Sequence, residues 1–178
     1  DIIVFTGDSI NQIDALPLFR NTIQSLNARI GKFAVYGNWD RYFEAYDLFK
    51  DIGFQLLNFQ KVELEKNGEK FTVSGINWTR DTNPSYLMYQ LDPNLFNIFL
   101  YHAPDIVENV KKYCVDLYLT GHTHGGQVAL PFYGALITLA KHGKKYESGL
   151  YKVDNTILYV NRGIGMEGHF APKVRFFA

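Results

Sequence analysis

Apolar runs that end in a polar cluster recur along the chain. The first, DIIVFTGD, leads from Ile2, Ile3, Val4 and Phe5 into Gly7 and Asp8. It reads as a buried parallel strand that delivers a carboxylate at its C-terminal tip. KFAVYGNWD repeats the pattern and ends on Asn38, Trp39 and Asp40. Between the two, residues 17–26 space Leu18, Phe19, Ile23 and Leu26 as one face of a helix. Residues 44–52, with Phe43, Tyr46, Leu48, Phe49 and Ile52, predict a second helix stopped by Gly53. Residues 61–65 and 70–74 flank KNGE, an Asn-Gly turn, and predict a hairpin. Residues 97–101 predict a strand ending at His102, residues 106–113 a helix, and residues 116–120 a strand ending at Gly121-His122. Residues 149–178 read as two or three strands around a glycine-rich loop.

The order is βαβα and then mixed strands, which predicts one layered α/β domain over residues 1–178. Ligands in such folds collect at the carboxyl ends of strands. Four strand tips here carry Asp8, Asn38, His102 and His122. No internal repeat, linker or low-complexity segment interrupts the domain. A run of 178 residues with 47% hydrophobic and 16% aromatic content can bury a core, so disorder is excluded. Basic and acidic residues balance at 18 each, which argues against a dedicated nucleic-acid binder. The lone Cys114 cannot form an internal disulfide and is expected to pack as a small apolar residue. No apolar run reaches the roughly 18 residues that span a bilayer.

A carboxylate, an amide oxygen and imidazoles together suit Mn²⁺, Fe²⁺ or Zn²⁺. Two such metals about 3.5–4 Å apart can share a carboxylate and a bridging hydroxide that attacks phosphorus. GHTHGGQ, residues 121–127, is the most specific segment. His122 and His124, two apart on a tight loop, can face adjacent metals. Gly125 and Gly126 let the backbone turn sharply and approach a phosphate.

GDSIN, GNWD, YHAPD and GHTHGGQ occur in the order and approximate spacing of the calcineurin-like metallophosphoesterase superfamily, which the chain resembles over nearly its whole length. YVNRGIG followed by VRFF is similar to the YaeI/YkuE-type branch of bacterial phosphohydrolases. The resemblance implies a four-layer αββα sandwich of two mixed β-sheets flanked by helices. It implies Asp8 as bridging carboxylate. It implies Asn38, His102 and His122 at the second metal, and His124 at the first. It also implies two divalent metal ions as cofactors and a phosphate-containing small molecule or lipid-linked nucleotide as substrate. The branch is associated with UDP-2,3-diacylglucosamine, which would require peripheral contact with the cytoplasmic membrane. The alternatives are a general phosphodiesterase or monoesterase and a non-catalytic scaffold.

Two departures from the family pattern change the picture. The opening DxH block, which supplies an aspartate and a histidine to the first metal, is expected upstream of Asp1. The domain is therefore expected to lack its first strand, to hold one metal better than the other, and to stop short of its last strand. The usual GNHD block reads GNWD, and the indole of Trp39 cannot do acid-base work. A substrate with an acidic leaving group, such as a pyrophosphate, needs that proton least. Trp39 and Arg41 are expected beside the substrate, with Arg41 reaching a phosphate or remaining solvated. Asn38 and Asp40 are the expected catalytic pair, Asp40 orienting a histidine or capping the following helix. His142 or His169 could replace the missing acid. LPFYGALITLAKHGKKY, with Lys141, Lys144 and Lys145, reads either as a membrane-docking segment or as a core-facing loop with solvated lysines.

Overall fold

A computed structural model describes residues 1–126, 129–130, 134–135 and 140–165. The elements in chain order are β1 (Ile2–Phe5), α1 (Leu16–Gln24), β2 (Gly31–Ala34), β3 (Gln55–Leu56), β4 (Gln60–Lys66) and β5 (Glu69–Gly75). Then follow α2 (Ser85–Met88), β6 (Phe96–Leu100), α3 (Val107–Val110), β7 (Leu117–Thr120), β8 (Ala129–Leu130), β9 (Gly134–Ala135), β10 (Gly149–Val153) and β11 (Thr156–Val160). β1, β2 and β3 form one parallel sheet. The second sheet is mixed, in the order β10-β11-β7-β6-β5-β4, with parallel pairing at its centre and antiparallel hairpins at both edges.

Side chains alternate along these strands with period two, and the alternation sorts the core into three apolar layers. Phe33, Val35, Leu57, Val73 and Leu100 fill the space between the sheets, joined by Ile2, Val4 and Leu119. Ala34, Tyr36 and Phe5 point the other way, onto α1 and the segment around Leu48, Phe49 and Ile52. Phe99, Tyr101 and Tyr118 face outward onto Leu87, Met88, Val107 and Val110 of α2 and α3. Three apolar layers need four structural layers to enclose them, which is the αββα sandwich. Gly75 lets the sheets close: a Cβ there would stand 2.7 Å from Val35 and 2.9 Å from Leu57.

The hairpin expected at KNGE forms, with Asn67 and Gly68 both left-handed as a tight two-residue turn requires. The helix expected over residues 44–52 does not. In its place stands a single 3₁₀ turn, Glu44–Tyr46, followed by Asp47 at φ 45°. Arg20 of α1 supplies the reason. Its guanidinium donates to the carbonyls of Tyr46 (2.8 Å) and Asp47 (2.6 Å), which a continuing helix would consume itself. Leu48, Phe49 and Ile52 still reach the core. The helix expected over 106–113 shrinks to a 3₁₀ turn, Pro104–Ile106, and the single turn of α3. α2 was not expected, although Pro84 marks its start. Cys114 packs on the outer core, with Sγ 3.6 Å from the Leu91 carbonyl. Residues 127–128, 131–133, 136–139 and 166–178, and with them the third tail strand, His169 and most of the apolar segment after GHTHGGQ, lie outside the described residues. Among the described residues no helix is long and apolar enough to cross a membrane.

Two lysines of that segment are held by acids. Lys144 stands 3.7 Å from Glu147, and Lys145 stands 2.5 Å from Glu108. Glu108 also receives Lys111 (2.9 Å) and the Tyr146 hydroxyl (2.9 Å). Lys145, Lys111 and Tyr146 together hold its carboxyl down at about 2, well below 4.5. A depressed folded-state value stabilises the fold above the unfolded value, and that contribution is lost as pH falls toward 2. Solvent screening limits it to about 1 kcal/mol or less. Glu108→Gln should therefore lower the urea midpoint at pH 7, and the gap from wild type should narrow at pH 3.5. A gap that is unchanged or wider in acid contradicts the network.

Candidate metal centre

The strand tips of both sheets meet at one point. β1 delivers Asp8, β2 delivers Asn38, β6 delivers His102 and β7 delivers His122. Two glycines permit the approach of the first two loops. A Cβ on Gly7, which sits at φ 98°, would stand 2.6 Å from the Gly37 Cα and 2.8 Å from His102 Nδ1.

His102 is buried, and its two ring nitrogens have distinct duties. Nδ1 lies 2.7 Å from the Thr6 carbonyl, which can only accept, so Nδ1 carries the proton. Nε2 of the neutral ring is then a bare lone pair. It faces Asn38 Oδ1 at 3.0 Å, His122 Nδ1 at 3.0 Å and Asp8 Oδ2 at 3.1 Å. One proton can satisfy one such contact, not all of them. Two donors at about 2.1 Å from a metal and at right angles to each other stand about 3.0 Å apart. The spacing is that of ligands around one divalent ion. Asp8, His102 and His122 are the only group of three or more such side chains, among the described residues, with ligand atoms close enough to hold a metal. The donor set fits the metal that the sequence implies.

Electrostatics favours a positive charge at this point. Burial pushes the Asp8 carboxyl up, but the His102 ring and the Trp39 N–H outweigh it, so the carboxyl lies below its ordinary value. Burial works against a charged His102, but the Asp8 carboxylate outweighs it and raises the imidazole. His122 is lowered by burial and by the neighbouring His102. The ionised Asp8 carboxylate draws a cation toward His102 Nε2.

Asp40 has neither of the roles expected of it. Its carboxylate is hydrogen-bonded to backbone amides rather than to His102 or His122, and it caps no helix end. Its buried carboxylate accepts the backbone N–H groups of Asp8, Ser9 and Gly37, each at 2.7 Å. The Asp8 loop is thereby tied to the Asn38 loop. Trp39 N–H adds a fourth tie by donating to Asp8 Oδ1 at 2.9 Å. These bonds hold Asp8 at φ 59°, a strained conformation for a residue with a Cβ. His122 (φ 70°) and His124 (φ 53°) are left-handed as well.

A cavity of about 830 Å³ opens over the cluster, lined by Asp8, His102, His122, His124 and Trp39 and by the outer edge of β1. His124 faces this cavity but is not part of the close cluster. Trp39 packs its ring 5.7 Å from that of Tyr42. Arg41 sits over the Tyr42 ring at 4.8 Å and does not line the cavity. The amides of the two loop glycines turn inward rather than toward a ligand. Gly126 N–H donates to the Thr123 carbonyl at 2.7 Å, and Gly125 N lies 3.4 Å from Thr123 Oγ1. His142 points to the Asp105 carbonyl at 3.1 Å, away from the cavity. Sequence reasoning missed Arg162, which does line the cavity. Its position just past an apolar strand, in YVNRG, was the available signal.

Convergent donor side chains at the strand tips of a double-sheet sandwich define an α/β domain with a candidate metal centre. The sequence model of the calcineurin-like phosphoesterase family matches residues 1–126, and the chain belongs to that family. It is 39% identical to the uncharacterized metallophosphoesterase YkuE of Bacillus subtilis, over 93% of this chain and 61% of that protein. It is 25% identical to the UDP-2,3-diacylglucosamine pyrophosphatase LpxG of Chlamydia muridarum, over all of this chain and 71% of that protein. The crystal structure of the phosphopantetheinyl hydrolase PptH from Mycobacterium tuberculosis shares the fold, with a TM-score of 0.53 at 10% identity, covering 90% of this chain and 78% of that one. The chain spans less than two thirds of the length of YkuE.

Removing the Asp40 carboxylate leaves three amides of two loops without their acceptor. Asp40→Ala should cost about 3 kcal/mol or more in urea unfolding, and Asp40→Asn less, since it keeps an acceptor oxygen. A loss within about 0.5 kcal/mol for Asp40→Ala would show that the loops hold together without the clamp.

Proposed function

We propose that this chain is the hydrolytic domain of a two-metal phosphoesterase that cleaves a phosphate anhydride, with a UDP-2,3-diacylglucosamine-type lipid pyrophosphate as the substrate class. The convergence of Asp8, Asn38, His102 and His122 on one point carries the reading. These four side chains hold one metal. Asp8 and His124, which face the same cavity, contribute to a second. When bound, the metals supply an activated water and neutralise charge on the phosphoryl oxygens.

The protein's own residues do the rest. Asp40 keeps the Asp8 and Asn38 loops in register, as a positioning residue rather than a proton carrier. Trp39 stands at the cavity where the family pattern has a histidine, and its indole transfers no proton. General acid catalysis is worth about 10²–10⁴-fold, and its absence weighs most on poor leaving groups. A phosphate leaves without that help and an alkoxide does not. The name of LpxG supports the same substrate class. A lipid-linked substrate requires peripheral contact with a membrane surface, with no nucleic acid as partner. The intact ligand cluster argues against a scaffold without catalysis, since drift would not preserve it.

Turnover measured with Mn²⁺ across a leaving-group series tests the reading. Pyrophosphate diesters and p-nitrophenyl esters should exceed simple alkyl monoesters by about 10²-fold or more. Faster turnover of the alkyl monoesters would sink the anhydride reading. No turnover of any ester or anhydride, with metal bound, would favour the scaffold.

A further inference from the structure

The proposed anhydride cleavage places two phosphates in the cavity, and the close cluster can serve only the one that reacts. Among the described residues, Arg162 is the only lysine or arginine that lines the cavity. Its place is set by the sheet. β11 runs parallel to β7 with Val160 opposite Thr120, and Asn161 N–H continues the ladder to the Thr120 carbonyl at 2.8 Å. Arg162 follows Val160 by two residues, as His122 follows Thr120, so the two stand at the same level on neighbouring strand tips.

The side chain is supported as well as placed. Its stem lies across Gly125 of the histidine loop. A Cβ on Gly125 would stand 3.1 Å from Arg162 Cγ and 3.3 Å from Cδ, so glycine keeps that path open. Nε donates to Ser148 Oγ at 3.2 Å, which fixes the plane of the guanidinium. The following turn is closed by Gly163 N–H on Asn161 Oδ1 at 2.6 Å. A planar guanidinium on a supported stem suits two parallel bonds to phosphate oxygens, and a lysine does not match that geometry.

We propose that Arg162 is a specificity-determining residue that binds the non-reacting phosphate of a diphosphate substrate. The proposal rests on the anhydride reading above. Water adds to one phosphorus and the bridging P–O bond breaks. The electron pair leaves with the second phosphate, whose added charge falls on Arg162. One water proton stays with the attacked phosphate, and the other passes to the departing phosphate or to solvent. Trp39 donates nothing in this scheme, and a cation on the leaving side stands in for the absent acid.

Calorimetric binding of inorganic pyrophosphate and of inorganic phosphate to the Mn²⁺-loaded chain tests it. Arg162→Ala should weaken pyrophosphate binding about 10–100-fold, the range of a charge-assisted bidentate contact. Arg162→Lys should fall between the variant and wild type. Phosphate binding should change less than about threefold in both, because one phosphate is held at the cluster. Mn²⁺ content and melting temperature should stay at wild-type values, since Arg162 is exposed. Unchanged pyrophosphate affinity in Arg162→Ala, with Mn²⁺ and phosphate still bound, overturns the proposal and leaves the metal-site reading standing. Equal weakening of both anions also overturns it. A wild-type chain that takes up no Mn²⁺ overturns both readings together.

Discussion

An amide oxygen, a carboxylate oxygen and a second ring nitrogen meet at one nitrogen of a buried imidazole, and most of the local architecture follows from that meeting. The Thr6 carbonyl takes the Nδ1 proton of His102 and so turns Nε2 into a bare acceptor. Around it stand an amide oxygen, a carboxylate oxygen and a second ring nitrogen, each at about 3 Å. One proton can satisfy only one of these contacts, and a cation can satisfy all of them. Each contributor is fixed from behind by the sandwich. β1 and β2 are adjacent in one sheet, β6 and β7 in the other, and the packed layer of Phe33, Val35, Val73 and Leu100 holds the sheets at a set distance.

Backbone conformation shows where the arrangement is costly. Asp8, His122 and His124 all occupy the left-handed region, which is strained for such residues by about 1–3 kcal/mol each. The strain sits in residues that face the cavity and is offset next to them. Asp40 contributes three short amide contacts across two loops, and Trp39 contributes a fourth. Burial raises the Asp40 carboxyl and the nearby Asp8 adds to this, while the amides of Gly37 and Ser9 pull it down. The buried acid therefore serves as structure under the site, and the side chains that face the cavity are left for binding. On the far side, the histidine loop turns its own amides inward to Thr123 and lies beneath the Arg162 stem.

Much of this was legible in the sequence. Strand tips could be read because an apolar run that stops at Gly-Asp, Gly-Asn, Tyr-His or Gly-His ends on a polar side chain at the sheet edge, and Asp8, Asn38, His102 and His122 do converge. The Asn67-Gly68 hairpin was legible because the turn chemistry is local. Failures came where long-range contacts decide. Residues 44–52 have helical spacing, but Arg20, distant in the chain, captures the carbonyls a helix would need. Asp40 looks like a cap, and only the meeting of two loops gives it three other donors. Arg41 sits next to the ligands in sequence yet stacks on Tyr42. Arg162 is distant in sequence and reaches the cavity through the β11–β7 ladder. Sequence adjacency located the convergent strand-tip residues and misplaced their surroundings, because a strand tip fixes one residue and the sheet order fixes its neighbours.

The central claim is that this cluster is built for a metal and not for a shared proton. Anomalous diffraction from crystals of the chain soaked with Mn²⁺ tests it most directly. The expected result is a strong manganese peak bonded at about 2.1–2.2 Å to Asp8 Oδ2, Asn38 Oδ1, His102 Nε2 and His122 Nδ1. Manganese bound elsewhere, or absent from a cluster whose side chains keep their positions, would contradict the account.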